Sequence, residues 1–333
     1  MKLIKNLFAA LILITVAATS CQKETIQPLS DDNKTIIQQF SETGQINMRS
    51  VTGSYQTVSF TNSSGLTLTG KLVVPDNMNP AQTYPAMVVL HGCGGLWDND
   101  KPANGMKTSF NEWAHDFKLR GVVALFIDSY TPRTLVEFCD KNPSNDSICS
   151  PAHERPRDAY AGLAFLKTLS YVDGSRIGVM GFSHGASTAL AAIVDSNYVA
   201  KPSWKVSYQS VDYTVPAPVG APATGGFKTA IAYYPGAGFY SYFGDPYNEK
   251  SGKYLNYAPT LILGAELDNL MPATRGLVKK AKYNGAGDSI ELVEYEDAKH
   301  SFDEAKNGIR ATPDYIAKQS ARSKVWDWLD TNL

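Results

Sequence analysis

The stretch that decides the fold is Gly181-Phe182-Ser183-His184-Gly185, read together with the residues on either side of it. The apolar run 176–180 before it is typical of a buried strand, and the small apolar residues 186–193 after it are typical of a buried helix. A strand that reverses directly into a helix strains the residue at its apex, and side chains two positions away would collide. Glycine at positions 181 and 185 removes that collision. The stretch therefore predicts a nucleophile elbow with Ser183 at its apex, and a serine hydrolase.

Few histidines in the sequence could act as the base for this serine. A serine hydroxyl is a poor nucleophile at neutral pH, so it needs a histidine to accept its proton and a carboxylate to orient that histidine. Behind an elbow of this type, the acid and then the histidine follow the serine along the chain. The sequence has five histidines, of which three precede Ser183 and His184 belongs to the elbow itself. We predict that His300, after the strand-like run 289–295, is the base.

The acid is expected on a loop that follows another central strand. The apolar run 259–264 predicts a short parallel strand, and the segment 265–272 follows it directly. Asp268 is the predicted acid, and Glu266, which lies nearer the strand end, is the alternative. A purely structural role for Asp268, as a cap of the helix that Pro272 opens, also fits its position.

The glycine-rich loop 91–95 is the predicted source of an oxyanion donor. It follows the strand-like run 84–90, and its glycines allow a backbone N–H to approach a substrate carbonyl without obstruction. We predict that the N–H groups of Cys93 and His184 form the oxyanion hole, with Gly94 as the alternative to Cys93.

With these features the chain resembles the dienelactone hydrolase family of α/β-hydrolases over about residues 84–303. The resemblance rests on the segments 91–96, 126–133, 157–160, 180–185, 264–272 and 298–302. It implies an α/β-hydrolase fold and ester hydrolysis through Ser183, Asp268 and His300. The namesake enzymes carry cysteine at the elbow, so the serine at position 183 favours a general carboxylic-ester hydrolase.

The remaining pattern predicts one α/β domain over residues 55–333, with a mostly parallel eight-stranded sheet covered by helices on both faces. The predicted strands are 55–61, 66–74, 84–90, 121–127, 176–180, 228–234, 260–264 and 289–295, of which the first two form an antiparallel edge hairpin. The predicted helices are 110–120, 158–169, 186–193, 271–282 and 313–329. The segment 195–227 is rich in Pro, Ser, Thr and Gly, and we expect an irregular excursion there.

The first residues predict an export signal. Lys2 and Lys5 precede an apolar stretch, 7–16, that is too short to span a bilayer, and small residues lead up to Cys21. This pattern resembles a bacterial lipoprotein signal peptide, 1–20, with Cys21 as the lipidated residue that anchors the protein to a membrane. A simple secretory signal is the alternative. Residues 21–54 are polar and are predicted to form a flexible tether, and the expected location is periplasmic, outer-membrane associated or at the cell surface.

Export changes the expectation for the other cysteines, because disulfides persist in oxidising compartments. Cys139 and Cys149 flank a segment rich in turn-forming residues, and they are predicted to form a disulfide. Cys93 would then be a free thiol, although a pairing of Cys93 with one of the two remains open.

Substrate contacts are less strongly indicated. Arg133 could bind a substrate carboxylate through its fork of donors, or form an ion pair with Glu112, Asp128 or Glu137. Tyr234 and Tyr240 stand in the aromatic-rich segment 233–257. They are predicted to contact the substrate, and packing of this loop onto the body of the domain is the alternative.

Composition narrows the possible partners. The net charge is −1 and charges of both signs are interspersed, so no nucleic-acid partner is expected. No cofactor or metal is expected either, since the sequence has neither paired Cys-x-x-Cys nor His-Glu-x-x-His spacing. The predicted substrate is a small-molecule or saccharide-linked ester. The competing hypotheses are a serine peptidase of the prolyl oligopeptidase type and a lipid-anchored binding protein with a non-catalytic hydrolase fold.

Overall fold

A computed structural model of the protein describes residues 55–76, 78–139, 149–195, 197, 203–208, 211–216, 221–222, 225–236, 243, 245, 247–251, 253–306 and 312–333. The predicted signal peptide, the tether, the lipidated Cys21 and the predicted substrate contact Tyr240 lie outside these residues.

Eight strands form one sheet. They are β1 (Tyr55–Thr61), β2 (Thr67–Val73), β3 (Tyr84–Leu90), β4 (Val123–Asp128), β5 (Val172–Phe182), β8 (Ala230–Tyr233), β9 (Thr260–Ala265) and β10 (Ile290–Tyr295). Their spatial order is β1-β2-β4-β3-β5-β8-β9-β10. β1 pairs antiparallel with β2 and β2 antiparallel with β4, whereas all pairs from β4 to β10 are parallel. The predicted eight-stranded, mostly parallel sheet is confirmed.

Helices cover both faces of this sheet, as predicted. The helices α1 (Thr108–Leu119) and α5 (Pro313–Asn332) pack on one face, and α2 (Glu154–Lys167), α3 (His184–Ala192) and α4 (Met271–Tyr283) pack on the other. Alternate residues of the central strand β3 enter the two cores, with Val88 on the α2 side and Val89 on the α1 side. Such double burial explains why the central strands are apolar throughout. None of the helices in the described part of the chain combines the length and the apolar character needed to cross a membrane.

Helix boundaries follow local chemistry where the sequence carries a clear signal. Pro272 and Pro313 stand in the first turns of α4 and α5, and the Thr312 hydroxyl accepts the Tyr315 N–H at 3.3 Å. The start of α2 was predicted at Asp158, whereas the helix begins at Glu154. Its first turn carries charged residues and therefore lacks the apolar spacing on which the prediction relied.

The segment 195–227 is not irregular throughout. β6 (Ser203–Tyr208) and β7 (Val211–Pro216) pair antiparallel as a separate two-stranded sheet. The expectation was wrong because it weighed the overall content of Pro, Ser, Thr and Gly. Within that composition, Trp204, Val206 and Tyr208 alternate with polar residues, which is the period of a strand.

The parallel strands all end at one edge of the sheet, and this edge positions the site. The loops after β3, β4, β5, β8, β9 and β10 meet there. In open α/β sheets, the carboxyl ends of the strands are where ligands bind.

Candidate active site

The turn from β5 into α3 has the strained geometry that the sequence predicts. Ser183 sits at φ 49° and ψ −113°, in the left-handed half of backbone space. A Cβ on Gly181 would lie 2.0 Å from the carbonyl oxygen of Gly185, and one on Gly185 would lie 2.2 Å from that of Leu90. Both glycines are therefore required, the first by the turn itself and the second by the close approach of β3.

Three side chains that are distant in sequence meet at this turn. The Ser183 Oγ lies 2.8 Å from the His300 Nε2, and the His300 Nδ1 lies 2.5 Å from the Asp268 Oδ2. The Asp268 side chain is 5% exposed and the His300 side chain 36% exposed, so the relay runs from the interior toward solvent. The structure thus brings together the three residues predicted to form the triad.

Asp268 and its alternative Glu266 have different hydrogen-bond partners. The second oxygen of Asp268 accepts the Leu270 N–H at 3.0 Å, so this residue also provides a hydrogen-bond acceptor for the backbone just before α4. Glu266 accepts the Asp297 N–H at 3.0 Å. Glu266 therefore ties the loop that carries the histidine to the loop that carries the acid.

The Tyr234 ring packs against the His300 imidazole. Its ring centroid is 4.9 Å from that of His300, its hydroxyl donates to the Asp303 carboxyl, and its side chain is almost fully buried. Burial raises the pKa of Asp303 well above its usual value. The predicted substrate contact by Tyr234 is not supported, because its hydroxyl is engaged and its ring packs on the imidazole.

The glycine-rich loop passes directly beside Ser183. A Cβ on Gly92 would lie 3.6 Å from the Ser183 Cβ. Three successive carbonyl oxygens of this loop each accept a hydrogen bond. That of Gly92 accepts from the His91 Nδ1 at 2.7 Å, that of Cys93 from the Phe138 N–H at 2.7 Å, and that of Gly94 from the Lys107 Nζ at 2.6 Å. Each held carbonyl fixes the direction of the N–H on the other side of the same peptide.

Gly236 also borders Ser183, although no motif in the sequence marks this glycine. Its N–H donates to the Ser183 carbonyl at 3.0 Å. A Cβ at this position would lie 3.0 Å from the His184 nitrogen and 3.3 Å from the Ser183 Oγ. The absence of a side chain at position 236 therefore keeps open the space between the serine and the helix N-terminus.

Two buried imidazoles flank the loop. The His91 Nε2 accepts the Ser129 N–H at 3.2 Å while its Nδ1 faces the Gly92 carbonyl, so the proton sits on Nδ1. The His184 Nδ1 accepts from the Arg155 guanidinium at 2.7 Å. Burial first, and then the charge of Arg155, lowers the pKa of both imidazoles well below the usual value. Both histidines are therefore neutral.

The cysteine pairing differs from the one predicted. Cys93 is joined to Cys139 with an S–S distance of 2.07 Å, and Cys149 is a free, buried thiol. The predicted Cys139–Cys149 disulfide is wrong, because the hydrogen bond from Phe138 to the Cys93 carbonyl lays the two segments side by side. Cys149 instead packs into the interior with Tyr130 and Phe138, where burial raises its pKa to about 12.

The structure does not support the predicted substrate contact by Arg133. Its guanidinium binds both carboxylate oxygens of Asp158, at 2.8 and 3.0 Å, and the carbonyl of Ser129 at 2.7 Å. The side chain of Arg133 is only 5% exposed. Its partner is none of the three carboxylates that the sequence suggested, since α2 brings Asp158 into the planar geometry that a bidentate pair requires.

Comparison with known proteins agrees with the fold. Residues 217–333 match the model of the dienelactone hydrolase family. An uncharacterized protein of Escherichia coli (strain K12), YcjY, is 33% identical over 144 residues, which span 41% of this chain and 41% of that protein. The match thus covers less than half the length of this relative.

Solved structures match over more of the chain. A putative dienelactone hydrolase from Klebsiella pneumoniae subsp. pneumoniae MGH 78578 superposes with a TM-score of 0.55 at 14% identity, over 84% of this chain and 100% of that one. The propionate-bound thermophilic esterase Est2 of Thermogutta terrifontis superposes with a TM-score of 0.53 at 18% identity, over 83% and 93% of the two chains. These similarities confirm the predicted α/β-hydrolase fold.

Proposed function

We propose that this protein is a serine hydrolase of the dienelactone hydrolase family that cleaves carboxylic esters, with Ser183 as nucleophile, His300 as base and Asp268 as acid. The observation that carries the proposal is the unbroken pair of hydrogen bonds from the Ser183 Oγ to the His300 Nε2 and from the His300 Nδ1 to Asp268. The family match over residues 217–333 and the fold shared with esterases support a hydrolase of this type.

In the proposed reaction the Ser183 Oγ attacks the ester carbonyl while its proton moves to the His300 Nε2. Asp268 accepts a hydrogen bond from Nδ1–H, which fixes the tautomer and stabilises the imidazolium. Collapse of the tetrahedral intermediate breaks the bond to the alcohol, which leaves with the proton from Nε2. Water then attacks the acyl-serine, again through His300, and the acid is released.

The oxyanion of each tetrahedral intermediate would be bound by the backbone N–H groups of Cys93 and His184. The first is carried by a loop that lies against Ser183, and the second belongs to the first turn of α3, where helix N–H groups lack intrahelical partners. A donor of this kind contributes a factor of about 10²–10³ to the rate.

The proposed substrate is a small or saccharide-linked carboxylic ester, and the proposed setting is outside the cytoplasm. The Cys93–Cys139 disulfide supports an oxidising compartment. This agrees with the proposed lipoprotein signal, with Cys21 as the site of lipid attachment and residues 21–54 as the tether.

Full-length protein in detergent provides the test. Ser183→Ala should reduce hydrolysis of p-nitrophenyl acetate by about 10⁴-fold or more and abolish labelling by a fluorophosphonate probe. Ser175→Ala, at the exposed opposite end of β5, is the control and should change neither reading. Failure of the wild-type chain to react with the probe, or labelling that persists in Ser183→Ala, would exclude Ser183 as the nucleophile. An anilide with the same acyl group should be cleaved far more slowly than the ester, in contrast to what a peptidase would show.

A further inference from the structure

Arg155 is a buried cation that the triad does not explain. It lies in the first turn of α2 and is 0% exposed. Its guanidinium stands 5.4 Å from the centre of the Tyr130 ring, and within the described part of the chain it forms no ion pair with a carboxylate. Burying a charged group is costly unless polar groups compensate for the lost water, so the groups that its nitrogens bind indicate what Arg155 does.

The two terminal nitrogens of Arg155 bind two different segments of the site. Nη1 donates to the His184 Nδ1 at 2.7 Å, and Nη2 donates to the His91 carbonyl at 2.8 Å. His184 supplies one proposed oxyanion N–H, and His91 begins the loop that supplies the other. The guanidinium is rigid and planar, so it holds these two acceptors at a fixed separation.

The hold on His91 extends to the Cys93 N–H. Arg155 fixes the carbonyl of His91, and the His91 ring in turn donates to the carbonyl of Gly92 at 2.7 Å. The peptide that joins Gly92 to Cys93 is trans, since none of the described peptide bonds is cis. In a trans peptide the C=O and N–H point in opposite directions. With the carbonyl of Gly92 held on one side, the N–H of Cys93 is therefore aimed to the other.

We propose that Arg155 is a positioning residue of the oxyanion hole, which it sets by binding the His184 side chain and the His91 carbonyl at the same time. This inference rests on the proposed esterase function and deepens it. The neutral state of His184 agrees with it, because burial and the charge of Arg155 lower the pKa of that imidazole and leave Nδ1 free to accept. Arg155 does not touch the substrate, so its effect should appear only in steps that build negative charge on the carbonyl oxygen.

The test compares Arg155→Met, Arg155→Lys and the neighbouring control Arg157→Met, all as full-length protein. Arg155→Met should lower kcat for p-nitrophenyl acetate by about 10²-fold and change KM little, since the hole acts in the transition state. Arg155→Lys replaces the two terminal nitrogens of the planar guanidinium with one and should lose about 10-fold. Arg157, which contacts Ser63 and Glu154 near the surface, should be replaceable without loss.

A thionoester substrate separates this role from simple support of the core. Sulfur accepts hydrogen bonds poorly, so the thionoester gains little from an oxyanion hole. The ratio of ester to thionoester kcat should fall in Arg155→Met by the same factor as the ester rate. A general disturbance of the core would instead slow both substrates equally, and that result would overturn the inference. So would an unchanged kcat for the ester.

Folding is checked by comparing the thermal melting of each variant with that of wild type. Should Arg155→Met not fold, Arg155→Lys and His184→Leu decide the question, because His184→Leu removes one acceptor and keeps the backbone N–H. Both should lower the ester to thionoester ratio, and an unchanged ratio in both would overturn the inference. A wild-type chain without esterase activity would refute the proposed function, whereas an active wild type with an indifferent Arg155 would refute this inference alone.

Discussion

The relay arm of the site, Asp268 and His300, and the oxyanion arm, residues 91–95 with His184, are built on opposite principles. In the relay arm the proposed reacting groups are side chains, and the His300 side chain is 36% exposed. In the oxyanion arm the proposed reacting groups are backbone N–H groups, and the side chains around them are buried, with His91 at 0% and His184 at 7% exposure.

The difference follows from what each kind of group needs. An imidazole is oriented once its own nitrogens are bonded, and two hydrogen bonds together with the Tyr234 ring suffice for His300. A backbone N–H has no side chain to steer it, so its direction depends on what holds the neighbouring carbonyls. The carbonyls of residues 91, 93 and 94 are each held by a donor from another part of the chain, and that of Gly92 is held by the ring of the neighbouring His91. Chemistry carried by the backbone therefore requires a larger supporting structure than chemistry carried by side chains.

The largest expected effect tests the relay arm. Asp268→Asn should lower kcat for p-nitrophenyl acetate by about 10⁴-fold, because an amide in place of the carboxylate favours the wrong imidazole tautomer. The matched control is Glu266→Gln, on the same loop, whose carboxylate bonds the Asp297 N–H at 3.0 Å and lies outside the relay. It should lose no more than a few-fold. Equal losses in the two variants would show that the loop, and not the hydrogen bond to His300, is what matters.

The next effect tests the oxyanion arm. Gly236→Ala would place a Cβ 3.0 Å from the His184 nitrogen and 3.3 Å from the Ser183 Oγ, beside the proposed position of the substrate oxygen. We expect kcat to fall by about 10²-fold, the order of one lost oxyanion donor.

The control for this variant is Gly174→Ala, whose added Cβ would meet only the Lys167 side chain at 3.4 Å. Its activity should stay within about two-fold of wild type. Full activity in Gly236→Ala would mean that the oxyanion binds elsewhere and that the His184 N–H is not one of its donors.

The same contrast explains which parts of the site could be predicted from the sequence. Ser183, Asp268 and His300, which the structure brings together, could be selected because side-chain chemistry restricts residue type, and the fold restricts their order along the chain. The central strands were identifiable because burial on both faces demands continuous apolar runs.

The residues that support the oxyanion arm carry no comparable pattern in the sequence. Arg155 lies in a charged first turn without apolar spacing, and its partners His91 and His184 are distant in sequence. The predicted disulfide favoured the pair of cysteines closest along the chain, whereas a contact between distant loops decided the actual pair, Cys93 and Cys139. The partner of Arg133 was hidden from the sequence for a similar reason, since the buried Asp158 is supplied by the packing of α2.

The smallest expected effect sharpens the comparison through stability. A histidine whose folded pKa lies below its unfolded value of about 6.5 stays neutral in the fold but takes up a proton once unfolded. Burial lowers the pKa of His184 in this way, so acid should favour the unfolded chain as the pH falls below about 6.5. Between pH 7 and pH 5.5, urea unfolding should show wild type losing about 1 kcal/mol more stability than His184→Leu. The control His115→Gln replaces an exposed histidine on α1 and should lose about as much as wild type. Identical losses in wild type and His184→Leu would mean that His184 takes up its proton within the fold, which would remove the neutral acceptor that the contact with Arg155 needs.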